Sequence, residues 1–246
     1  MTAAATMTGG GATVAPCGDQ AFLVRLGTQI DPAVNARAQV LAARVRADAP
    51  AWLVDCVPSY AAVLIQFDLV ATDAATVLSF VQRHLATLNA EDAAPAAATA
   101  TANRQLEIPV CYAPTFALDL GDLATASGLS VEDVIQRHAA VEYQVYLLGF
   151  RPGFPFLGLV DETIAAPRLP TPRARVPAGA VGIAGRQTGI YPTAGPGGWR
   201  IVGRTPWRLF DPASASPFRV AAGDRVRFVP IDAETFTRLQ ENDDVD

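Results

Sequence analysis

The sequence predicts an α+β protein of two domains: an N-terminal α/β sandwich-like domain over residues 12–88 and a C-terminal β-barrel domain over residues 106–235, with helices leading into the barrel. Three observations carry this. Residues 89–105 (NAEDAAPAAATATANRQ) hold no large apolar residue and no apolar period, which is the composition of a tether. Ahead of that segment, apolar runs of strand length alternate with stretches of helical period. Beyond His138, short apolar runs are broken by Gly and Pro at regular intervals, as in a closed barrel or a sandwich. Residues 1–11 read as a disordered tail rich in small side chains, and 236–246 as a C-terminal tail.

Each element has a local cause. Ala12–Ala15 and Ala21–Leu26 are apolar runs around Pro16, Cys17, Gly18 and Asp19, a turn signature, so a hairpin is expected. Asp31 and Pro32 provide an N-cap and a first-turn proline. Val34, Ala38, Leu41 and Val45 follow on one helical face. Trp52–Val57 and Ala61–Phe67 read as strands joined at Pro58, Ser59 and Tyr60. Thr72 and Asp73 open a second helix whose Val77, Val81, Leu85 and Leu88 share a face, with His84 as a structural histidine at its margin. The order ββαββα implies an antiparallel or mixed sheet with helices on one side.

The second half begins with a strand at Leu106–Val110 and two helical stretches. In the later stretch, Ser130 and Asp133 have capping-box spacing ahead of Val131, Val134, Ile135 and His138. Tyr143–Phe150 reads as a strand. The barrel strands are then expected around Val176, Val181–Ala184, Gly189–Tyr191, Trp199–Val202, Trp207–Phe210 and Val226–Val229.

Composition narrows the chemistry. With 50% hydrophobic and 17% charged residues over 246 positions, most of the chain is expected to fold. All 19 basic residues are arginine, so a P-loop lysine, a Schiff-base lysine and a covalently attached biotin are excluded within this sequence. Net charge is −5, which disfavours nucleic acid as a partner, yet residues 139–211 hold eight arginines against four acids. Neither a membrane-spanning run nor a secretory leader is apparent, so a cytoplasmic protein is expected. Cys17, Cys56 and Cys111 are isolated from one another and read as small buried hydrophobes. With His84 and His138 as the only histidines, no metal site is expected.

Three strings stand out: LGFRPGFPFLG from Leu148 to Gly158, PRARVPAG from Pro172 to Gly179, and GRQTGIYP from Gly185 to Pro192, which runs on to GPGGW (Gly195–Trp199) and GRTP (Gly203–Pro206). With His138 and Tyr143 upstream, Gly18–Ala21 and Val57–Tyr60 in the first half and Ile108–Tyr112 between, they resemble the KipI / allophanate hydrolase subunit 1 family over nearly the whole chain. The resemblance implies a cyclophilin-like barrel at the C-terminus. It also implies a role as the B-type subunit of ATP-dependent 5-oxoprolinase, which hydrolyses 5-oxo-L-proline to L-glutamate, with ATP as cosubstrate in the complex. Its partners would be the C-type subunit, related to allophanate hydrolase subunit 2 and sharing the site, and the A-type subunit, of LamB/YcsF type. The chain alone would be inactive. Two other roles stay open: an inhibitor of a sensor histidine kinase, and the carboxyltransferase half of a urea or amide carboxylase with biotin carried elsewhere.

Candidate site residues follow from what lactam opening needs. The amide must be activated, which calls for cationic forks and neutral donors near phosphate and carboxylate. His138 and Gln187 are the candidate catalytic residues; His138, on an apolar helix face, suits either acid–base work or a buried hydrogen-bonded role. Arg173, Arg204, Thr188, Tyr191, Phe154, Gly153, Gly179, Gly197 and Gly198 are the candidate substrate contacts, the glycines through exposed backbone N–H groups. Ala180, Gly195 and Phe156 stand where the family commonly has Ser, Ser and Tyr, so no hydroxyl chemistry carries over at these positions.

Overall fold

The computed structural model describes residues 6–7, 11–92 and 104–243, which divide into two compact units between Ala102 and Asn103. The first unit runs β1 (Thr6–Met7), β2 (Thr13–Pro16), β3 (Ala21–Arg25), α1 (Pro32–Asp48), β4 (Leu53–Pro58), β5 (Ala62–Phe67) and α2 (Ala74–Asp92). Its strands form one antiparallel sheet in the order β1-β2-β3-β5-β4. Along β5, Val63, Ile65 and Phe67 are buried while Ala62, Leu64 and Gln66 are half-buried, the period of two expected of a sheet with one covered face. Ala38, Leu41, Ala42 and Val45 of α1 and Val77, Val81, Leu85 and Leu88 of α2 supply the cover.

Helix starts are fixed as the sequence dictates. The Asp31 carboxylate accepts from Ala33 N and Val34 N at 2.8 and 3.0 Å, with Pro32 at the first turn. That of Asp73 accepts from Thr76 N at 2.7 Å. Asn35 is fully buried in α1 and donates to the Ser59 and Tyr60 carbonyls, tying the helix to the β4–β5 turn. His84 packs at a tilt against Phe80, 4.4 Å between ring centres, and pairs with Asp48 at 3.1 Å; partial burial lowers its pKa and Asp48 opposes that.

The second unit runs β6 (Gln105–Cys111), α3 (Leu120–Ser127), α4 (Val131–Ala139), β7 (Glu142–Leu148), β8 (Pro155–Gly158), β9 (Arg173–Val176), β10 (Ala180–Ala184), β11 (Gln187–Ile190), β12 (Gly195–Gly197), β13 (Arg200–Arg204), β14 (Arg225–Ile231) and α5 (Ala233–Asp243). Seven strands close a barrel in the order β10-β11-β8-β7-β14-β6-β13, and β9 and β12 form a separate ribbon. Closure depends on β6 and β14 pairing in parallel, Gln105 opposite Arg225 through Cys111 opposite Ile231. Val110, Val145, Leu157, Val181, Ile183, Ile190 and Phe228 belong to the main core. A second cluster gathers Phe154, Val176, Tyr191, Trp199 and Ile201. The capping box is formed, with Ser130 Oγ accepting from Asp133 N at 3.0 Å and the Asp133 carboxylate accepting from Ser130 N.

Several expectations need correcting. Thr6 and Met7 pair with Val14 and Thr13, so this part of the expected tail is a strand; residues 1–5 and 8–10 lie outside the described residues. Helix α2 runs to Asp92, into the segment read as a tether, whose residues 93–103 lie outside the described residues. Trp207–Phe210 is not a strand, because Phe210 makes only an isolated bridge to Phe218. Strand β7 stops at Leu148, where the backbone turns and Phe150 takes a φ of 64°. The expected C-terminal tail is the body of α5, whose Phe236 is buried. Cys17 is exposed, unlike Cys56 and Cys111, and burial pushes the Cys56 thiol up to about 11.

Candidate functional site

The candidate residues fall into separate environments. His138, in the last turn of α4, is completely buried and lies flat against Phe228, 4.7 Å between ring centres and 11° between planes. Its Nδ1 is 2.8 Å from Tyr112 Oη and its Nε2 is 2.9 Å from Thr188 Oγ1. Thr188 Oγ1 in turn donates to the Gly182 carbonyl at 3.1 Å. A hydroxyl has one proton, so Thr188 must accept from His138. The imidazole therefore carries its proton on Nε2, and Tyr112 donates to Nδ1. Tyr143 Oη donates to the His138 carbonyl at 2.8 Å. Burial without a charged partner lowers the His138 pKa to about 3, so the ring is neutral at ordinary pH.

The catalytic expectation for His138 and the substrate-contact expectation for Thr188 thus fall on side chains that the fold engages with each other. Both ring nitrogens are engaged, neither side chain reaches solvent, and the chain of donors ends on backbone. His138 ties α4 to β11 and to Tyr112, the residue after β6, as a buried neutral crosslink.

Arg173 is also engaged by the fold. Its guanidinium forms a two-pronged pair with Asp119 at 2.8 and 2.6 Å, and Asp119, 3% exposed, further accepts from Ile201 N at 2.6 Å. An anion from solution would have to displace a carboxylate already held in place. Phe154 and Tyr191 are core, packed edge-on at 5.2 Å, and Phe154 meets Trp199 in the same way. Gly197 lies against the Tyr191 ring, Gly198 near Pro172, and Gly153 in the turn before β8 against Phe210. Gln187 opens β11 opposite Gly158 and is half-buried. A side chain at position 195 would run into the Arg151 guanidinium, which donates to the Ala194 carbonyl at 2.9 Å, so a serine here would require Arg151 to move.

Two expected residues, Gly179 and Arg204, do meet in one cleft. It has a volume of about 460 Å³ and is built from the turns at 178–179, 192–194 and 205–212 together with Phe236 and Gln240 of α5. Gly179 has a φ of 78°, and a Cβ there would lie 2.3 Å from the Thr205 carbonyl oxygen, so the turn requires glycine. Arg204 ends β13. Its Nε donates to the Ala178 carbonyl at 2.8 Å, and its guanidinium lies over the stacked rings of Phe116 and Phe236, 5.9 and 5.6 Å from their centres. Partial burial alone lowers its pKa, with no carboxylate acting against it. Arg208 shares the cleft but pairs with Asp211 at 3.3 Å.

Sequence reading missed Phe116, Trp207, Phe210, Phe236 and Gln240, which reach this region from loops and a helix far apart in the chain. The single available signal was the GRTP string, which carries Arg204. Among the described residues, no group of three His, Cys, Asp or Glu side chains is placed to hold a metal ion, and no helix is long and apolar enough to cross a membrane.

A family model described as carboxyltransferase domain, subdomain C and D, matches residues 12–220. The chain is 39% identical over 235 residues to the B-type subunit of 5-oxoprolinase from Bacillus subtilis, covering 91% of this chain and 95% of that protein. Over 128 residues it is 51% identical to the B-type subunit of 5-oxoprolinase from Escherichia coli O157:H7, covering 52% of this chain and 59% of that one. Among solved structures, the protein TTHA0988 superposes with a TM-score of 0.75 at 37% identity, covering 87% of this chain; this chain spans only 40% of that longer one. The urea carboxylase of Kluyveromyces lactis superposes with a TM-score of 0.73 at 19% identity, covering 98% of this chain and 24% of that one, a likeness of fold alone.

Proposed function

The chain belongs to the carboxyltransferase family of subdomains C and D, and from that premise we propose that it is the B-type subunit of an ATP-dependent 5-oxoprolinase. The observation that carries this is the 39% identity to a 5-oxoprolinase component of that type along nearly the full length of both chains. The complex hydrolyses 5-oxo-L-proline to L-glutamate, with ATP activating the lactam oxygen so that water can open a bond that amide resonance otherwise protects.

The physical arrangement supports a shared site. The cleft beside Arg204 is open, and its one carboxylate is already paired with Arg208. Its titratable wall residues are two arginines and an aspartate, residue types that do not ordinarily exchange protons near neutrality. It offers binding and orientation rather than acid–base chemistry. Partners of the C type and of the LamB/YcsF type supply the remaining wall and the proton-transfer groups, and ATP is bound by the complex without a phosphate loop from this chain, which has no lysine. The assembly works in the cytoplasm.

The test is reconstitution. Co-purified with both partners, the chain gives ATP-dependent glutamate release, and omission of any one component abolishes it. A folded three-component complex with ATP that releases no glutamate from 5-oxo-L-proline overturns the proposal.

A further inference from the structure

The Arg204 cleft carries more information than its position. Among the described residues, the guanidinium makes one hydrogen bond, from Nε to Ala178, so the terminal nitrogens NH1 and NH2 have donors to spare. The side chain cannot simply swing into water. Its Nε is tethered, and its planar face lies on the Phe116–Phe236 pair, within the range of cation–π attraction. With no counter-ion in the chain, its terminal donors are left to the cleft, where an anion can take them from water. The contrast with Arg173, whose fork is filled by Asp119, shows how this fold neutralises an arginine when it does so internally.

Charge and lining limit which anion. Two arginines and one aspartate on the cleft wall leave a single net positive charge. That matches a monoanion and falls short of a polyphosphate, which asks for several cations or a metal. Pro192, Pro206, Pro212, Phe210 and Phe236 make much of the remaining wall, suited to a compact apolar body. We propose that this cleft is a monocarboxylate-binding subsite, with the two terminal nitrogens of Arg204 taking the carboxylate as a fork and the proline and phenylalanine side chains taking the ring or chain that bears it. That the carboxylate is that of 5-oxo-L-proline rests on the function proposed above; the subsite itself does not.

The experiment is calorimetric titration of the full chain, without partners, with 5-oxo-L-proline, 5-oxo-L-prolinamide and tripolyphosphate. The acid should bind saturably, the amide at least tenfold more weakly, and tripolyphosphate no better than the acid. Because Arg204 also holds the Ala178 carbonyl, Arg204→Lys is used alongside Arg204→Gln, with circular dichroism as a check of folding. The lysine variant should keep the fold and lose at least tenfold in affinity, since an ammonium cannot grip both oxygens from the same plane. Equal binding of acid and amide overturns the subsite, as does binding of neither, or tighter binding of tripolyphosphate. Glutamate release by the complex is a separate readout, so the failure of one proposal is distinguishable from the failure of the other.

Discussion

His138, buried in the second unit, and Arg204, at the end of a barrel strand, are both polar side chains packed on aromatic rings, and the fold treats them in opposite ways. His138 has a partner for each ring nitrogen, is neutral, and is sealed from water. Arg204 has one partner, remains charged, and faces a cleft. The difference separates scaffold from site. A group satisfied within the chain stabilises the chain, and a group left with spare donors at a surface is available for something else.

The largest expected effect comes from breaking the scaffold side. His138→Ala removes a buried ring and leaves the buried Tyr112 hydroxyl without its acceptor, at a cost of about 4 kcal/mol. Urea unfolding of the barrel unit measures it, and a loss under about 1 kcal/mol would mean that the crosslink is not formed.

Acid provides a second route to the same residue. The folded ring resists protonation until about pH 3, whereas the unfolded ring takes its proton near 6.5. The folded pKa is depressed, so this contribution is complete above pH 6.5 and is lost as pH falls toward 3. About two pH units below the unfolded value, the loss is about 3 kcal/mol. The wild-type minus His138→Gln difference in unfolding free energy, followed from neutral pH down to about 4.5, isolates it from His84, whose pKa is also lowered. A difference that stays flat with pH would contradict a neutral buried imidazole.

Arg173→Met sharpens the contrast between the two arginines. It leaves the nearly buried Asp119 carboxylate without its cation, which costs about 2 kcal/mol in unfolding free energy, reduced from the fully buried case because Arg173 is itself partly exposed. Carboxylate binding in the cleft should be unchanged. Smallest of all is Asp48→Asn, where the acid paired with His84 is mostly exposed; the loss should stay below about 1 kcal/mol by the same unfolding assay.

Local signals made much of the fold readable. Asp31 with Pro32, Ser130 with Asp133, and the turn around Gly18 act within a few residues and mark the helix starts and the hairpin found in the structure. What escaped was non-local or disguised. The parallel pairing of residues 105–111 with 225–231 joins segments 120 positions apart, with nothing in either to announce the other. Strand β8 hides in a Gly- and Pro-rich string, with Pro155 as its first residue. Helix α5 is anchored by Phe236 amid polar residues and reads as a tail.

The same limit governs the site. Residue type nominated His138, Thr188 and Arg173 as readily as Arg204, because each can donate or accept. Only tertiary structure shows which donors are already taken, and that Phe116 and Phe236 converge on Arg204 from opposite ends of the barrel unit's sequence.

The most direct test follows both side chains in a single titration. In ¹⁵N-detected spectra of the chain with increasing 5-oxo-L-proline, the Arg204 guanidinium signals should shift saturably. Those of His138 should keep the neutral, Nε2-protonated pattern throughout. A shift at His138 with Arg204 unmoved would contradict the division between a closed interior and an open rim.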